Sequence, residues 1–376
     1  MKAIINLFIL LIVFSTPVSA TPTPAPPSVK GTGHLLIDFD SGHIISESNA
    51  NQRLEPASLT KLMTAHVIFS EIQQGNLKLE DEVTVSEKAW KTPGSRMFIE
   101  VGKQVTVEKL LHGMIIQSGN DASVALAEHI GGSESVFASM MNTHAQRLGM
   151  TSTNFVNATG LPDPDHYTTP EDIAKVAMAT IRDFPEFYKW YSIKSYTYNN
   201  IKQHNRNKLL WRDDAVDGLK TGHTEAAGYC LVASAKKENM RLISVVMGTA
   251  SEKERAQESL KLLNYGFRFF ETHKLYNGGT SLNQAKVWKG SSSQLAVGLA
   301  DDLYITIPRN QYDNLNASMH LNLPVIAPIN KSQTVGKVLV TLGGETVASQ
   351  PLIALQGIEE AGIVGRTIDN LMMMFE

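Results

Sequence analysis

The chain has 376 residues, of which 43% are hydrophobic and 19% are charged, and this composition excludes a wholly disordered protein. The formal net charge is −3, which argues against nucleic acid as a partner, because phosphate contacts require an excess of basic residues. The only cysteine, Cys230, excludes an intrachain disulfide framework and a zinc site made of several cysteines.

The first 20 residues have the composition of a secretory signal peptide. Lys2 precedes an apolar run at residues 3–14, and small side chains lead up to Ala20. A helix of that run would be about 18 Å long, too short for a hydrocarbon core of about 30 Å. We therefore predict an exported protein that is cleaved after Ala20 and continues as a proline-rich leash over residues 21–30.

Local sequence patterns divide the rest of the chain into two parts. The predicted elements, in chain order, are a β-hairpin at residues 33–45, helices at 107–117 and 122–130, a strand pair at 229–235 and 241–247, and a helix with an apolar stripe from Ala256 to Phe270. After about residue 272, short β-type runs replace the helical periodicity. We predict a mixed α/β domain over residues 31–272 and a small all-β domain over residues 273–357.

The first motif that points to chemistry is Ser58-Leu59-Thr60-Lys61. Residues i and i+3 share a helix face, so the Ser58 hydroxyl and the Lys61 amine can touch. A neutral lysine amine can take a serine proton when burial or a second cation lowers its pKa. Residues 234–237 fit the same pattern, and a serine that caps a helix beside a solvated lysine is the alternative interpretation.

The second motif, Ser118-Gly119-Asn120, lies in a break between two apolar helical segments. This placement would put a hydroxyl and an amide at the edge of a hydrophobic core. Residues 152–154 and 281–283 match the same pattern. The alternative is that Asn120 or Asp121 caps the following helix.

The third motif, Lys220-Thr221-Gly222, is the only Lys-Ser/Thr-Gly segment of the sequence and leads into the strand pair at 229–247. A strand at a sheet edge can offer backbone groups to an extended substrate, and Gly222 would allow a close approach. Lys220 and Thr221 would supply a cation and a hydroxyl for a carboxylate. An ordinary surface turn is the alternative.

The C-terminal residues 358–376 have an amphipathic helical pattern. On a helical projection one face collects the apolar side chains Ile363, Val364, Ile368, Leu371, Met372, Met374 and Phe375. The opposite face collects Arg366, Asp369, Asn370 and Glu376. The segment is too short to span a bilayer and resembles an in-plane membrane anchor, although from Gly362 onward its net charge is 1 − 2 = −1. Docking of this helix on the β domain or on a partner is the alternative.

In their order along the chain, the three motifs resemble the motif set of active-site-serine penicillin-recognising enzymes. Longer segments extend the resemblance to one family, the low-molecular-mass penicillin-binding proteins that are D-alanyl-D-alanine carboxypeptidases. These segments are residues 56–61, 118–122, 217–224 and 266–271. The resemblance covers nearly all of the mature chain.

The resemblance implies an α/β fold of the transpeptidase and β-lactamase type. We expect a mostly antiparallel sheet with helices on one face, a helical subdomain, and a small all-β domain. The implied activity is that of a serine-type carboxypeptidase, a hydrolase of cell-wall biogenesis and cell shape, which removes the terminal D-alanine of peptidoglycan stem peptides. β-Lactam antibiotics would be covalent inhibitors, no cofactor or metal is implied, and the C-terminal helix would lie on the outer face of the inner membrane.

The resemblance also implies roles for individual residues. Ser58 would be the nucleophile, Lys61 the general base, and Ser118 a member of the proton relay. The implied substrate-binding residues are Asn120, Lys220, Thr221, Gly222, His223 and Arg255. Backbone N–H groups of Ser58 and His223 would form the oxyanion hole. The charge of Lys220 would help to keep Lys61 neutral.

Two other functions stay open from the sequence. A serine β-lactamase needs a carboxylate that activates the deacylating water, typically in a Glu-x-x-Leu-Asn segment between the second and third motifs. The acidic residues at the corresponding place are Asp163, Asp165, Glu171 and Asp172, and none has Leu-Asn at that spacing. A non-catalytic cell-wall binding protein would keep the fold but would not need Ser58 or Lys61.

Overall fold

The structure is a computed structural model and describes residues 23–375. The predicted signal peptide and the beginning of the predicted leash lie outside the described residues. Residues 23–30 have no regular secondary structure, but they contact the folded part of the chain. The Tyr265 hydroxyl donates to the Pro24 carbonyl at 2.6 Å, and the Lys261 amine donates to the Ser28 carbonyl at 2.9 Å.

Helices and strands follow one another along the described residues in this order. The helices are α1 (Thr60–Gln73), α2 (Glu87–Lys91), α3 (Val107–His112), α4 (Asn120–Gly131), α5 (Glu134–Arg147), α6 (Pro170–Asp183), α7 (Pro185–Tyr188), α8 (Glu252–Phe269) and α9 (Ile363–Met372). The strands are β1 (Gly33–Asp38), β2 (Ile44–Ser48), β3 (Glu82–Thr84), β4 (Gln104–Thr106), β5 (Ser195–Tyr198), β6 (Ile201–His204), β7 (Val216–Thr224), β8 (Gly228–Lys237), β9 (Met240–Thr249), β10 (Phe270–Tyr276), β11 (Ser281–Trp288), β12 (Gln294–Gly298), β13 (Leu303–Pro308), β14 (Leu315–Leu321), β15 (Val325–Ile326), β16 (Thr334–Leu342) and β17 (Glu345–Ala354).

An antiparallel five-stranded sheet forms the centre of the larger domain, in the order β2-β1-β9-β8-β7. Successive side chains of a strand point to opposite faces, so Leu35 and Leu36 of β1 enter two separate hydrophobic cores. Leu36 shares its core with α8, and Leu35 shares its core with α1, α4, α5 and α6. The predicted hairpin and strand pair are confirmed as β1–β2 and β8–β9.

Two features of this domain determine where the first and second motifs lie. Helix α1 is buried from Thr60 to Phe69, so it runs through the core with its N-terminus close to the edge strand β7. The predicted helix at 107–117 is α3 followed by a π-helical turn, Gly113–Gln117, and it ends where Ser118 takes a left-handed conformation with φ 68°. The first and second motifs therefore both stand at helix ends.

The smaller domain is built from β10–β17 and has its own hydrophobic core. Its main sheet has the order β14-β16-β17-β12-β11-β15, and β10 pairs with β13. At the joint with the larger domain the Thr272 hydroxyl donates to the buried Asp38 carboxylate at 2.7 Å. The Ser41 and Thr306 hydroxyls lie 2.6 Å apart in the same joint.

The chain after β17 does not become helical at the predicted boundary of residue 358. Ile358 is buried and pairs with Ile329, and Glu360 pairs with Gly290, so this segment belongs to the β domain. Helix α9 begins at Ile363, five residues later. Across residues 23–375, no helix has the length and apolar character that crossing a membrane requires.

Candidate active site

Ser58 lies in a short 3-10 turn, Ala57–Leu59, that leads directly into α1. The Lys61 side chain lies on the same helix face as Ser58, and its Nζ is 3.0 Å from Ser58 Oγ. Lys61 is fully buried, and the N-cap residue of α1 is Leu59, with no side-chain capping bond. The alternative of a capping serine beside a solvated lysine is therefore wrong.

The environment of Lys61 favours a neutral amine. Burial, and after it the positive charge of Arg206, lowers the pKa of Lys61 to about 7. Its Nζ also lies 2.7 Å from Asn120 Oδ1 and 2.6 Å from the carbonyl oxygen of Thr159. A neutral amine can donate its two N–H groups to these oxygens and direct its lone pair at the Ser58 hydroxyl. The geometry thus suits a base that accepts the serine proton.

The second motif contacts the third motif through Ser118. The left-handed conformation of Ser118 turns its hydroxyl toward the buried Lys220, whose Nζ lies 2.7 Å away. Lys220 also donates to the carbonyl of Thr221 at 3.1 Å. Burial first, and then the charges of Lys61 and two arginines, hold the pKa of Lys220 well below its usual range. The two amines and the two serine hydroxyls form one cluster, and the predicted effect of Lys220 on Lys61 stays a prediction.

Neither Asn120 nor Asp121 caps α4, so that alternative is wrong. The N-cap residue is Gly119, and the Asp121 carboxylate instead accepts N–H bonds from residues 97–99 at 3.0, 2.9 and 3.3 Å. Asn120 accepts from the lysine base through Oδ1 and donates through Nδ2 to the carbonyl of Pro93 at 2.6 Å. Its amide group has a second N–H, which can serve a substrate carbonyl.

The third motif lies on β7, at the edge of the sheet, as predicted. A Cβ on Gly222 would lie 3.0 Å from the Pro56 carbonyl oxygen and 3.2 Å from Ala57 Cβ, tighter than ordinary contacts. Gly222 therefore allows the strand to lie against the turn that carries the serine, which differs from the predicted approach of a substrate. The exposed His223 ring stacks on Tyr229 with ring centroids 4.0 Å apart.

Arg255, from the first turn of α8, reaches the same strand. Its guanidinium donates to the carbonyl of Gly222 at 3.0 Å and lies 3.5 Å from the Glu252 carboxylate. The side chain is buried, and burial lowers the pKa of Arg255. It supplies a fixed positive charge in the wall of the site.

These residues surround a cavity of about 380 Å³. Of the predicted site residues, its wall contains Ser58, Ser118, Asn120, Thr221, Gly222, His223 and Arg255. Lys61 and Lys220 do not line the cavity, but they contact Ser58 and Ser118, which do. All nine predicted residues thus belong to one site.

The sequence reasoning missed several residues of the site, among them Thr159, Gly160 and Arg206. Thr159 acts through its backbone carbonyl, for which residue type gives no signal. Gly160 has φ +83°, and a Cβ there would lie 1.7 Å from the Ala57 carbonyl oxygen, so only glycine fits. Arg206 lines the cavity and donates to the Gln117 carbonyl at 3.1 Å. For Thr159 and Gly160, the sequence signal that could have been used was the turn-forming segment Gly160-Leu161-Pro162.

The acidic residues considered for a β-lactamase lie elsewhere. Within residues 23–375, the cavity wall contains one carboxylate, Glu252, and none of the four acids between residues 159 and 180. Asp172, for example, accepts from the N–H of Ser152 and from the Thr153 hydroxyl. This arrangement offers no carboxylate at the place that the β-lactamase mechanism requires.

Comparison with protein-family models gives two matches that together cover most of the chain. Residues 20–251 match a family described as D-alanyl-D-alanine carboxypeptidase. Residues 270–360 match the C-terminal domain of penicillin-binding protein 5. Residues 252–269, which form α8, lie between the two matched regions.

Individual proteins give the same result. D-alanyl-D-alanine carboxypeptidase DacC of Escherichia coli (strain K12) is 43% identical over 368 residues, covering 96% of this chain and 92% of that protein. The solved structure of penicillin binding protein 5 from Haemophilus influenzae has a TM-score of 0.87 at 43% identity, covering 90% of this chain and 100% of that one. Penicillin-binding protein D2 from Listeria monocytogenes, solved in a cefotaxime-bound form, has a TM-score of 0.60 at 28% identity and covers 65% of this chain and 100% of that one. The predicted fold is confirmed.

Proposed function

This chain belongs to the D-alanyl-D-alanine carboxypeptidase family, and we propose that its reaction proceeds through an acyl-enzyme on Ser58. Its activity is that of a serine-type peptidase that removes the terminal D-alanine from peptidoglycan stem peptides, binds penicillins and acts in cell-wall biogenesis. The observation that carries the proposal is the 3.0 Å contact between Ser58 Oγ and Lys61 Nζ, because burial makes this amine a base near neutral pH.

Substrate binding begins at the carboxylate. Lys220 and Thr221, with Arg255 close by, place an amine, a hydroxyl and a guanidinium at one end of the cavity. A bound carboxylate favours the protonated form of the Lys220 amine, so this group suits the terminal carboxylate of a peptide. The free N–H of the Asn120 amide can bind a carbonyl of the peptide on the other side of Ser58. The scissile bond then lies over the serine.

Acylation follows from the Ser58–Lys61 pair. Lys61 takes the hydroxyl proton while Ser58 Oγ bonds to the carbonyl carbon of the penultimate D-alanine. Backbone N–H groups of Ser58 and His223 stabilise the oxyanion, and losing one such donor typically costs about 10²–10³ in rate. The C–N bond breaks, the amine of the terminal D-alanine takes the proton from Lys61, and the acyl group remains on Ser58 as an ester.

Deacylation uses the same base. Water attacks the ester carbonyl, Lys61 takes a proton from this water, and the proton returns to the departing Ser58 oxygen. The products are the shortened peptide and the free serine. No cofactor takes part in these steps.

The test is mass spectrometry after incubation with penicillin, together with an assay of D-alanine release from a D-Ala-D-Ala peptide. One adduct per chain on a peptide containing Ser58, with release of D-alanine, is the expected result. Fast turnover of nitrocefin without D-alanine release would favour a β-lactamase. Absence of both labelling and hydrolysis would favour the non-catalytic binding protein.

We also propose that α9 attaches the protein to the outer face of the inner membrane. The seven apolar side chains that the sequence assigns to one face of this tail, from Ile363 to Phe375, are between 49% and 90% exposed. Its polar side faces the β domain, where the Asp369 carboxylate accepts the N–H of Lys289 and Arg366 pairs with Glu360 at 2.6 Å. An apolar face that is turned away from its own domain supports burial in the interfacial region of a bilayer.

A further inference from the structure

The Thr159 carbonyl that Lys61 contacts belongs to a loop without regular secondary structure, residues 156–161, which we call the base-holding loop. The hydrogen bonds of a helix or a sheet therefore do not fix the position of this carbonyl. Within the loop, Asn157 Oδ1 accepts the N–H groups of Thr159 and Gly160 at 3.1 and 2.7 Å. These bonds shape the loop, but they do not attach it to the helix that carries Lys61.

His166, which follows the base-holding loop in the chain, connects the loop to α1. Its Nδ1 accepts the N–H of Val156, at the beginning of the loop, at 3.1 Å. Its Nε2 lies 2.8 Å from the Thr60 hydroxyl oxygen. Thr60 immediately precedes Lys61 in the first turn of α1. One imidazole ring thus joins the residue beside the lysine to the loop that supplies a hydrogen-bond acceptor for this lysine.

The protonation state of His166 follows from its surroundings. The side chain is buried, and burial lowers the pKa of His166 to about 4, so the ring is neutral near pH 7. Since the Val156 N–H occupies Nδ1, the ring hydrogen is on Nε2 and is donated to Thr60 Oγ1. Both ring nitrogens are therefore used in the connection. His166 does not itself line the active-site cavity.

The other contacts of the base-holding loop with helices are made to a single residue. The Thr64 hydroxyl of α1 donates to the Ala158 carbonyl at 2.8 Å. The Glu134 carboxylate of α5 accepts the Ala158 N–H at 3.1 Å. Both bonds hold the middle of the loop, so the beginning of the loop, at Val156, depends on His166.

We propose that His166 is a positioning residue for the general base Lys61. This proposal rests on the proposed function and deepens it. By joining the first turn of α1 to the base-holding loop, the neutral imidazole keeps the Thr159 carbonyl oxygen 2.6 Å from Lys61 Nζ. One N–H of the amine is then occupied in both steps of the reaction, and the lone pair stays directed at Ser58 or at the water of deacylation.

The test uses three variants of His166 and one control. His166→Phe keeps a ring but removes both nitrogens. His166→Gln can still donate to the Thr60 hydroxyl, and His166→Asn can still accept the Val156 N–H, so each retains one of the two bonds. His34→Phe is the matched control, because His34 is also buried and its Nε2 lies 3.1 Å from the hydroxyl of Ser46, on the pair β1–β2.

We expect His166→Phe to lower the first-order rate of penicillin acylation, and kcat for D-alanine release, by about 10- to 100-fold. Misplacing a catalytic group by about 1 Å can cost about 100-fold in rate. The dissociation constant of the non-covalent penicillin complex should stay unchanged, because Lys220 and Thr221 bind the carboxylate and the loop does not. Hydrolysis of the acyl-enzyme should slow by a similar factor, since it uses the same base. His166→Gln and His166→Asn should each recover part of the loss, and His34→Phe should change none of these constants.

Wild-type acylation and deacylation by folded His166→Phe would overturn the proposal. A loss confined to non-covalent binding, or a loss that His34→Phe reproduces, would overturn it as well. Thermal denaturation is measured on every variant, and if His166→Phe does not fold, wild-type rates in both His166→Gln and His166→Asn would decide against the role of His166. Absence of Ser58 labelling and of D-alanine release in the wild-type protein would instead contradict the proposed function itself.

Discussion

The carbonyl oxygen of Thr159 lies 2.6 Å from Nζ of Lys61, although 98 residues separate the two in the chain. The contact occupies one N–H of the amine and so helps to direct its lone pair at Ser58. Thr159 is followed by Gly160, which touches the turn that carries the serine. The proposed base, Lys61, is thus positioned by a segment that contains none of the three motifs.

Gly160→Ala should therefore impair both stability and acylation. The new Cβ would lie 1.7 Å from the Ala57 carbonyl oxygen, so the turn must move and the Thr159 carbonyl with it. Gly75→Ala is the control, because Gly75 has φ +80° but its new Cβ would have no atom within 4 Å, and the change should cost only about 1–2 kcal/mol. Thermal denaturation and penicillin acylation rates measure both effects. Equal losses in the two variants would contradict this account.

Ser58→Ala should abolish the penicillin adduct and D-alanine release because the nucleophile is gone. Since Ser58 makes no capping bond, the free energy of unfolding should change by no more than about 1 kcal/mol. Mass spectrometry and thermal denaturation check this. Ser234→Ala tests the other Ser-x-x-Lys segment, and it should leave the adduct on Ser58. Wild-type labelling of Ser58→Ala would refute the assignment.

Arg206→Gln should shift the pH dependence of acylation. The charge of Arg206 lowers the pKa of Lys61, which is about 7, and only the neutral amine can act as the base. Removing this charge raises that pKa, so the acid limb of the rate profile moves to higher pH. Second-order rates of penicillin acylation across the pH range measure the shift. A profile that keeps its position would show that burial alone sets the pKa of Lys61.

Lys220→Ala should slow acylation by peptides and penicillins alike. Both present a carboxylate to Lys220 and Thr221, and losing one charged hydrogen bond typically costs about 1.5–3 kcal/mol, or about 10- to 100-fold in rate. When Lys220 is protonated, its ammonium disfavours a proton on Lys61, so the variant should also raise the pKa of Lys61 and move the acid limb to higher pH. If only peptide turnover falls, and the profile does not move, the electrostatic role of Lys220 is wrong.

Removal of residues 362–376 should release the protein from membranes without loss of activity. The protein that retains these residues should float with vesicles of zwitterionic phospholipid and resist a high-salt wash, because its tail has a net charge of 1 − 2 = −1 and binds through apolar burial. Truncation after Gly357 is a poorer variant, since it also removes the buried Ile358. Release by salt alone, or an inactive enzyme truncated after Ala361, would contradict the anchor.

The sequence predicted the parts of the site that depend on local spacing. Ser58 and Lys61 are three residues apart on one helix face, and Lys220 begins the only Lys-Ser/Thr-Gly segment of the sequence. Thr159 and Arg206 could not be found in this way, because a backbone carbonyl has no residue-type signal and a lone arginine resembles any other. Strand β11 escaped prediction for a related reason, since its exposed half is polar and masks the alternation.

The start of α9 shows a different limit of sequence reasoning. The tail helix is predicted from residue 358, yet Ile358 pairs with Ile329 and is buried in the β domain. On a helical projection from Ile363, Ile358 falls on the polar face and Glu360 on the apolar face, so the periodicity favours the later start. The burial of Ile358 itself could not be predicted locally, because its partner lies 29 positions earlier in the chain.

The joint between the two domains is made of directional polar contacts, from the Thr272 hydroxyl to the Asp38 carboxylate and between the hydroxyls of Ser41 and Thr306. Such contacts fix the angle between the two domains. If α9 rests on lipid as we propose, this angle sets the height of Ser58 above the bilayer, and with it the layer of the wall from which a stem peptide can be taken. A few side chains that touch neither the substrate nor the membrane would then determine which stem peptides the active site can contact.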